Sequence, residues 1–245
     1  MDEDLEYNSE EINELVDEFK VRADSGNIGF YESEDLELII EELIACFDFQ
    51  YATEAIELGL SLYPNSFEFR ILKVKKLIME MDIETAGKEL DAIEEEFPPY
   101  AEFYLEKAFY YKMSGMDKDA LPLLKKAYEL DPENPEINFM LGGEYVKKGQ
   151  YHRALEYVSY ALETDDLIDD QLFTISYIFE DDKHFAEAVD FFKRLTEKFP
   201  LSRSSWFALG LAYSWVKDNA NAIDAYQNAI SLDEEASTAY FNIGN

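Results

Sequence analysis

Six alanines recur at a fixed interval of 34 residues: Ala52, Ala86, Ala120, Ala154, Ala188 and Ala222. An interval of about 20–50 residues is the signature of a chain that stacks copies of one supersecondary unit. Other positions keep the same register. Four residues after the alanines come Ile56, Leu90, Leu124, Val158, Phe192 and Tyr226. Twelve residues before them lie Ile40, Val74, Ala108, Gly142, Ser176 and Gly210, mostly small. Three positions further on stand Leu43, Leu77, Tyr111, Tyr145, Phe179 and Tyr213. Twelve residues after the alanines come Pro64, Pro98, Pro132 and Pro200, a series that Asp166 and Glu234 interrupt. The units are therefore 33–66, 67–100, 101–134, 135–168, 169–202 and 203–236, and residues 237–245 open a seventh.

Apolar residues at three- and four-residue spacing fill both halves of each unit, which predicts two antiparallel helices, here called A and B. Gly115 and Gly149 fall at the mid-unit break, where a left-handed cap ends helix A. Proline at the unit end cannot continue helix B. The small residue of helix A and the alanine of helix B permit close approach, and the aromatic positions fill the groove. Pro122 falls in the first turns of a helix B, where only part of its helix-breaking cost applies. With 47% hydrophobic residues and only 10 Gly and 7 Pro, the composition suits long helices around a sizeable core.

The pattern resembles the tetratricopeptide repeat. Residues 204–232 place Trp206, Leu209, Gly210, Tyr213, Ala222, Tyr226 and Ala229 at that family's signature positions, and residues 135–162 match nearly as well. The resemblance covers 33–245. Repeats one and two depart from it, with Ile40 and Val74 in place of the small residue and Lys73 in place of the usual leucine. It implies an all-α fold: a right-handed α-α superhelix, or solenoid, of six full helix-turn-helix repeats and the start of a seventh. Residues 1–32 form an acidic extension. Ile12, Leu15, Val16 and Phe19 predict a capping helix over 9–22, residues 23–31 read as a loop, and Ser33 followed by Glu34 and Asp35 marks a helix start.

Signals of catalysis are absent from the sequence. His152 and His184 are the only histidines, and each falls near an A-to-B turn as an ordinary surface residue. The single Cys46 cannot form an internal disulfide, and no Cys/His cluster suggests zinc. No phosphate-binding glycine loop or nucleophile motif occurs. The expectation is no enzyme, no cofactor and no metal. The acidic start lacks a secretory signal, and no apolar run approaches the ~20 residues of a membrane span. The cytoplasm is the expected setting.

In the family, helix A faces the concave surface, and its second, fifth and ninth residues bind ligands. By that correspondence the binding face holds Leu105, Phe109, Glu136, Phe139, Asp170, Phe173, Tyr177 and Phe207, with an acidic patch of Glu34, Glu37 and Glu41. No three-repeat window carries the Lys/Asn clamp with which chaperone-binding members hold a C-terminal carboxylate.

The net charge is −33, from 54 acids and 21 bases, which disfavours nucleic acid and anionic membranes. Charge concentrates in residues 1–66, which hold 19 acids and only Lys20 and Arg22 as bases. The leading expectation is a scaffold that binds another protein or peptide with basic and apolar segments. The alternatives are an assembly unit that pairs with itself through its ends, which 237–245 would invite, and the sensor or adaptor part of a longer protein.

Overall fold

The computed structural model describes residues 7–116, 119–164, 169 and 171–232. Among them are thirteen helices and no strand. Helix α1 (Ser9–Asp24) precedes the repeats, in place of the helix expected over 9–22. The A helices are α2 (Ser33–Ala45), α4 (Phe67–Met79), α6 (Ala101–Met113), α8 (Pro135–Lys147), α10 (Phe173–Asp181) and α12 (Arg203–Trp215). The B helices are α3 (Phe49–Leu62), α5 (Ile83–Glu96), α7 (Ala120–Leu130), α9 (Tyr151–Thr164), α11 (Phe185–Lys198) and α13 (Asn219–Leu232). The all-α repeat fold implied by the sequence is the one the chain forms. The segment 237–245 lies outside the described residues.

The period of 34 is written into the backbone. Asp48 N donates to Leu43 O at 2.8 Å, and the same bond recurs from Asp82 to Leu77, Met116 to Tyr111, Gln150 to Tyr145, His184 to Phe179 and Asp218 to Tyr213. Each closes a helix A by the six-to-one bond of a Schellman turn, which needs a residue of positive φ just before it. That residue is Gly115 (φ 73°) or Gly149 (φ 67°), as the sequence predicts. In the other four repeats it is Phe47, Met81, Lys183 or Lys217, with φ between 58° and 65°. A side chain in this conformation costs roughly 1–2 kcal/mol, so the repeat geometry is strong enough to impose it on residues that disfavour it.

Helix starts vary more. Ser66, Asn134 and Ser202 accept hydrogen bonds from the third residue of the helix they precede, at 3.2, 3.0 and 3.0 Å. Asn8 and Glu11 form a reciprocal capping box on α1. Ser33 opens α2, as expected, although its side chain does not cap the helix. It is the first helical residue, after Glu32, and its hydroxyl donates to Glu37 Oε1 at 2.8 Å.

The chain divides into two compact units, residues 1–123 and 124–245. In the first, α1 packs on α2 and α3 and buries Val16 and Phe19 with Leu36, Ile39, Ile40, Leu43 and Ile56. A second cluster joins α4, α5 and α6 through Ile71, Val74, Leu90, Ile93 and Phe103. Lys73, in the place of the usual leucine, forms an ion pair with Glu89 at 2.7 Å, and Arg70 adds Glu96 at 3.0 Å. In the second unit, Phe179, Phe191 and Phe192 form a ring cluster with centroids 5.3–5.6 Å apart.

The small residue of helix A was expected to approach the B-helix alanine; in repeats four and six its nearest neighbour is instead the residue four after that alanine. A Cβ on Gly142 would lie 2.4 Å from Val158 Cγ2, and one on Gly210 would lie 2.5 Å from Tyr226 Cδ1. These glycines are required because a larger partner occupies the space. In repeats one and two, Ile40 and Val74 are fully buried in the clusters that hold Ile56 and Leu90, so aliphatic packing replaces the small-on-large contact.

Candidate protein-interaction surface

The A helices carry the residues assigned to binding, and the structure sorts them by accessibility. Within the first unit, Leu105 on α6 is 3% exposed, and Phe109, one turn on, is half-buried against the α4–α6 cluster. Leu105 is therefore an interior residue and offers no surface. Glu34 and Glu41 are exposed on α2, while Glu37 between them is half-buried. Burial pushes the Glu37 carboxyl above the usual range, against the Ser33 hydrogen bond, and the charges of Glu68, Glu41 and Glu34 push the same way. The acidic patch predicted on α2 is thus brought together, and Glu68 of α4 joins it.

Within the second unit, Phe139 is 5% exposed and packs inside, which removes it from the accessible set, and Glu136 beside it is half-buried. Gly143 is buried, and a Cβ there would sit 3.4 Å from Ile178 Cδ1 on α10. Asp170 lies outside the described residues. Phe207 is half-buried, its ring 5.7 Å from that of Tyr226. Phe173 and Tyr177 behave differently. They lie one turn apart on α10, are 46% and 58% exposed, and meet edge to face at 5.8 Å and 87°. Glu180 and Asp181 follow them, both exposed.

A helical repeat alternates by its own geometry between residues that seal helix to helix and residues that face outward. The fifth position seals in repeats three and four and is open in repeat five. The sequence shows an aromatic or leucine at each of these places, and nothing local distinguishes the sealed from the open.

Among the described residues no group of three or more His, Cys, Asp or Glu side chains could hold a metal ion. No helix among them is long and apolar enough to cross a membrane. His184 Nδ1 lies 2.6 Å from the Tyr151 hydroxyl, and His152 pairs with Glu156 on an exposed helix face.

Two family models, each described as tetratricopeptide repeat, match residues 115–168 and 204–235. These two segments are tetratricopeptide repeats. A relative named TPR repeat-containing protein YpiA, from Bacillus subtilis (strain 168), is 33% identical over 96 residues. That match takes in 39% of this chain and 23% of YpiA. Among solved structures, the chain is similar to the APC/C hetero-tetramer Cut9-Hcn1, with a TM-score of 0.62 at 14% identity. It covers 97% of this chain and 46% of that one. The apo form of RapI follows at 0.59 and 15%, covering 86% of this chain and 69% of that one. TTC0263, a thermophilic tetratricopeptide protein of Thermus thermophilus, scores 0.54 at 14%, covering 87% and 97%. At such identities the likeness is one of fold. This chain thus spans about a quarter of YpiA and under half of the Cut9-Hcn1 chain.

Proposed function

We propose that this chain is a protein-interaction scaffold that binds a partner segment on the A-helix face of its second unit. The observation that carries the reading is the exposed pair Phe173 and Tyr177 on α10. Large rings held against each other and open to water are typical anchors, since aromatic residues at the centre of an interface carry a disproportionate share of binding energy. Phe207 widens the apolar surface at its half-buried edge. The partner segment offers apolar side chains to the rings and Lys or Arg to the exposed Glu180 and Asp181 on the same helix. The function is binding, not catalysis.

The test is capture of partners with the whole chain as bait and identification by mass spectrometry, repeated with Phe173→Ala and Tyr177→Ala. Both side chains are mainly solvated, so the variants keep their helical circular dichroism. The specific partner is lost or weakened by about 1 kcal/mol or more for each ring. Undiminished capture by both folded variants places binding elsewhere.

A further inference from the structure

A second exposed apolar surface lies on the first unit, away from the A-helix face. Helices α2, α4 and α6 pack side by side, α2 on α4 and α4 on α6, and each leads into its B helix through a short turn. Their C-terminal ends therefore share one edge. Along it stand Phe47, Met81, Met113 and Met116, which are 64%, 60%, 38% and 40% exposed. Phe47 leans edge-on against Phe49, with ring centroids 5.9 Å apart.

Phe47 and Met81 are disfavoured at their positions twice over. They hold the left-handed backbone of the Schellman turn, at φ 59° and 65°, where glycine fits without strain. They also expose most of a large apolar side chain to water. The equivalent places in repeats three to six hold Gly115, Gly149, Lys183 and Lys217, which avoid the exposed apolar group in every case. Packing does not account for Phe47 and Met81, because neither belongs to a buried cluster.

The charges around the edge indicate what covers it. Asp48, Glu80, Asp82 and Glu84 line the first two turns, with no Lys or Arg in 45–50 or 79–84, whereas the sequence of the third, 112–119, balances two acids with Lys112 and Lys118. Lys20, Lys76 and Lys88 pair with Asp48, Glu80 and Glu84. The exposed Asp82 carboxylate is held below the usual range by hydrogen bonds from the Thr85 side chain and then from Thr85 N, the latter at 3.2 Å. The whole first unit holds 32 acids and 10 bases, a net −22. A second copy of this chain would bring the same charge to the contact and be repelled. A cationic segment with an apolar face matches both the thioether-rich row and the field around it.

We propose that the turn edge of the first unit, centred on Phe47 and Met81, docks a basic amphipathic helix of another protein. Neighbouring packed helices are about 10 Å apart, so three turns give a row about 20 Å long, the length of about 13 helical residues.

The test uses the full chain and three labelled 18-residue helical peptides, read by fluorescence anisotropy. One has leucine at i, i+3, i+4 and i+7 with lysine elsewhere. The second replaces lysine by glutamate, and the third replaces leucine by serine. The leucine/lysine peptide binds, and the other two bind at least tenfold more weakly. Phe47→Gly with Met81→Gly weakens the leucine/lysine peptide at least tenfold without lowering the melting temperature. Phe47→Lys with Met81→Lys, the residue that repeats five and six carry there, does the same. Full binding by either edge variant overturns the proposal. So does equal binding of the serine/lysine peptide. A dimer of the chain that the glycine variant dissociates would make a second copy the occupant, and would overturn it as well.

Discussion

The two compact units solve the same repeat in different ways. In repeats four and six, in the second unit, the interhelical contact is a glycine under a large side chain, Gly142 beneath Val158 and Gly210 beneath Tyr226. In the first, Ile40 and Val74 fill the equivalent positions with bulk, and both are sealed from water. Charge also divides unevenly. The first unit carries −22 and the second, with 22 acids and 11 bases, carries −11. Their exposed apolar residues differ in place as well: turn-edge Phe47 and Met81 in the first, A-helix Phe173 and Tyr177 in the second. A repeat constrains the sum of side-chain volumes at each contact. It leaves free which helix supplies that volume, and what is placed on surfaces the stack does not use.

If that contrast is right, substitution by alanine at one structural position costs stability for opposite reasons in the two units, a void in the first and a clash in the second. Ile40→Ala removes buried volume and lowers stability by about 3 kcal/mol. Gly210→Ala adds one carbon against the Tyr226 ring. Replacing glycine in a helix by alanine normally gains ~1 kcal/mol, and overpacking costs ~1–3, so the net lies between no change and a loss of about 2 kcal/mol. Chemical denaturation measures both. A more stable Gly210→Ala protein would show that Tyr226 moves aside and that the contact is loose.

The division of charge sharpens the comparison kinetically. Reversing Glu34, Glu37 and Glu41 to Lys slows association of a basic partner several-fold at low salt and changes its dissociation little. Exposed charges steer encounter and are screened over about 8 Å at physiological ionic strength. Stopped-flow mixing at two salt concentrations reads this. The expectation fails if the association rate is independent of salt.

The left-handed turn positions test the shared geometry under the differences. Phe47→Gly, Met81→Gly, Lys183→Gly and Lys217→Gly each relieve backbone strain and gain up to about 1 kcal/mol, whereas Gly149→Ala loses a similar amount. Thermal melts of the five variants decide it, and a destabilised glycine variant would mean that its side chain contributes to packing.

The smallest effect concerns Glu37. Its folded pKa is raised, chiefly by burial, so the folded state holds this proton more tightly than the unfolded chain does. Its ionisation therefore opposes folding at neutral pH, and the penalty fades as pH falls through the raised value. Glu37→Gln raises the melting temperature slightly at pH 7, and the gain disappears in the acidic carboxylate range. A gain that persists at low pH has some other cause.

Much of the fold was legible because the 34-residue register involves residues whose size is decisive. Ala52, Ala86, Ala120, Ala154 and Ala188 are all fully buried, and Gly115 and Gly149 are left-handed as their type suggests. Four turns with the same backbone but no glycine were not legible, because tertiary packing overrides local preference there. The candidate site was legible in part. Correspondence with the family's binding positions assigned Leu105, Phe139, Phe173 and Tyr177 to one surface, but Leu105 and Phe139 are interior. Whether an aromatic at the fifth position seals or protrudes depends on how its neighbours on the adjacent A helix fill the gap, and that is not encoded at the position itself. Ser33 does open α2, but its hydroxyl goes to a nearby carboxylate, Glu37, which the residue type alone does not show.

The most direct measurement is site-specific photocrosslinking of the full chain in its native cell extract, with p-benzoylphenylalanine in place of Tyr177 or, as control, of exposed Glu187 on α11. The account predicts a discrete protein adduct at position 177 that is absent at 187 and is suppressed by Phe173→Ala. Adducts confined to position 187, or none at 177 from a folded protein, would contradict it.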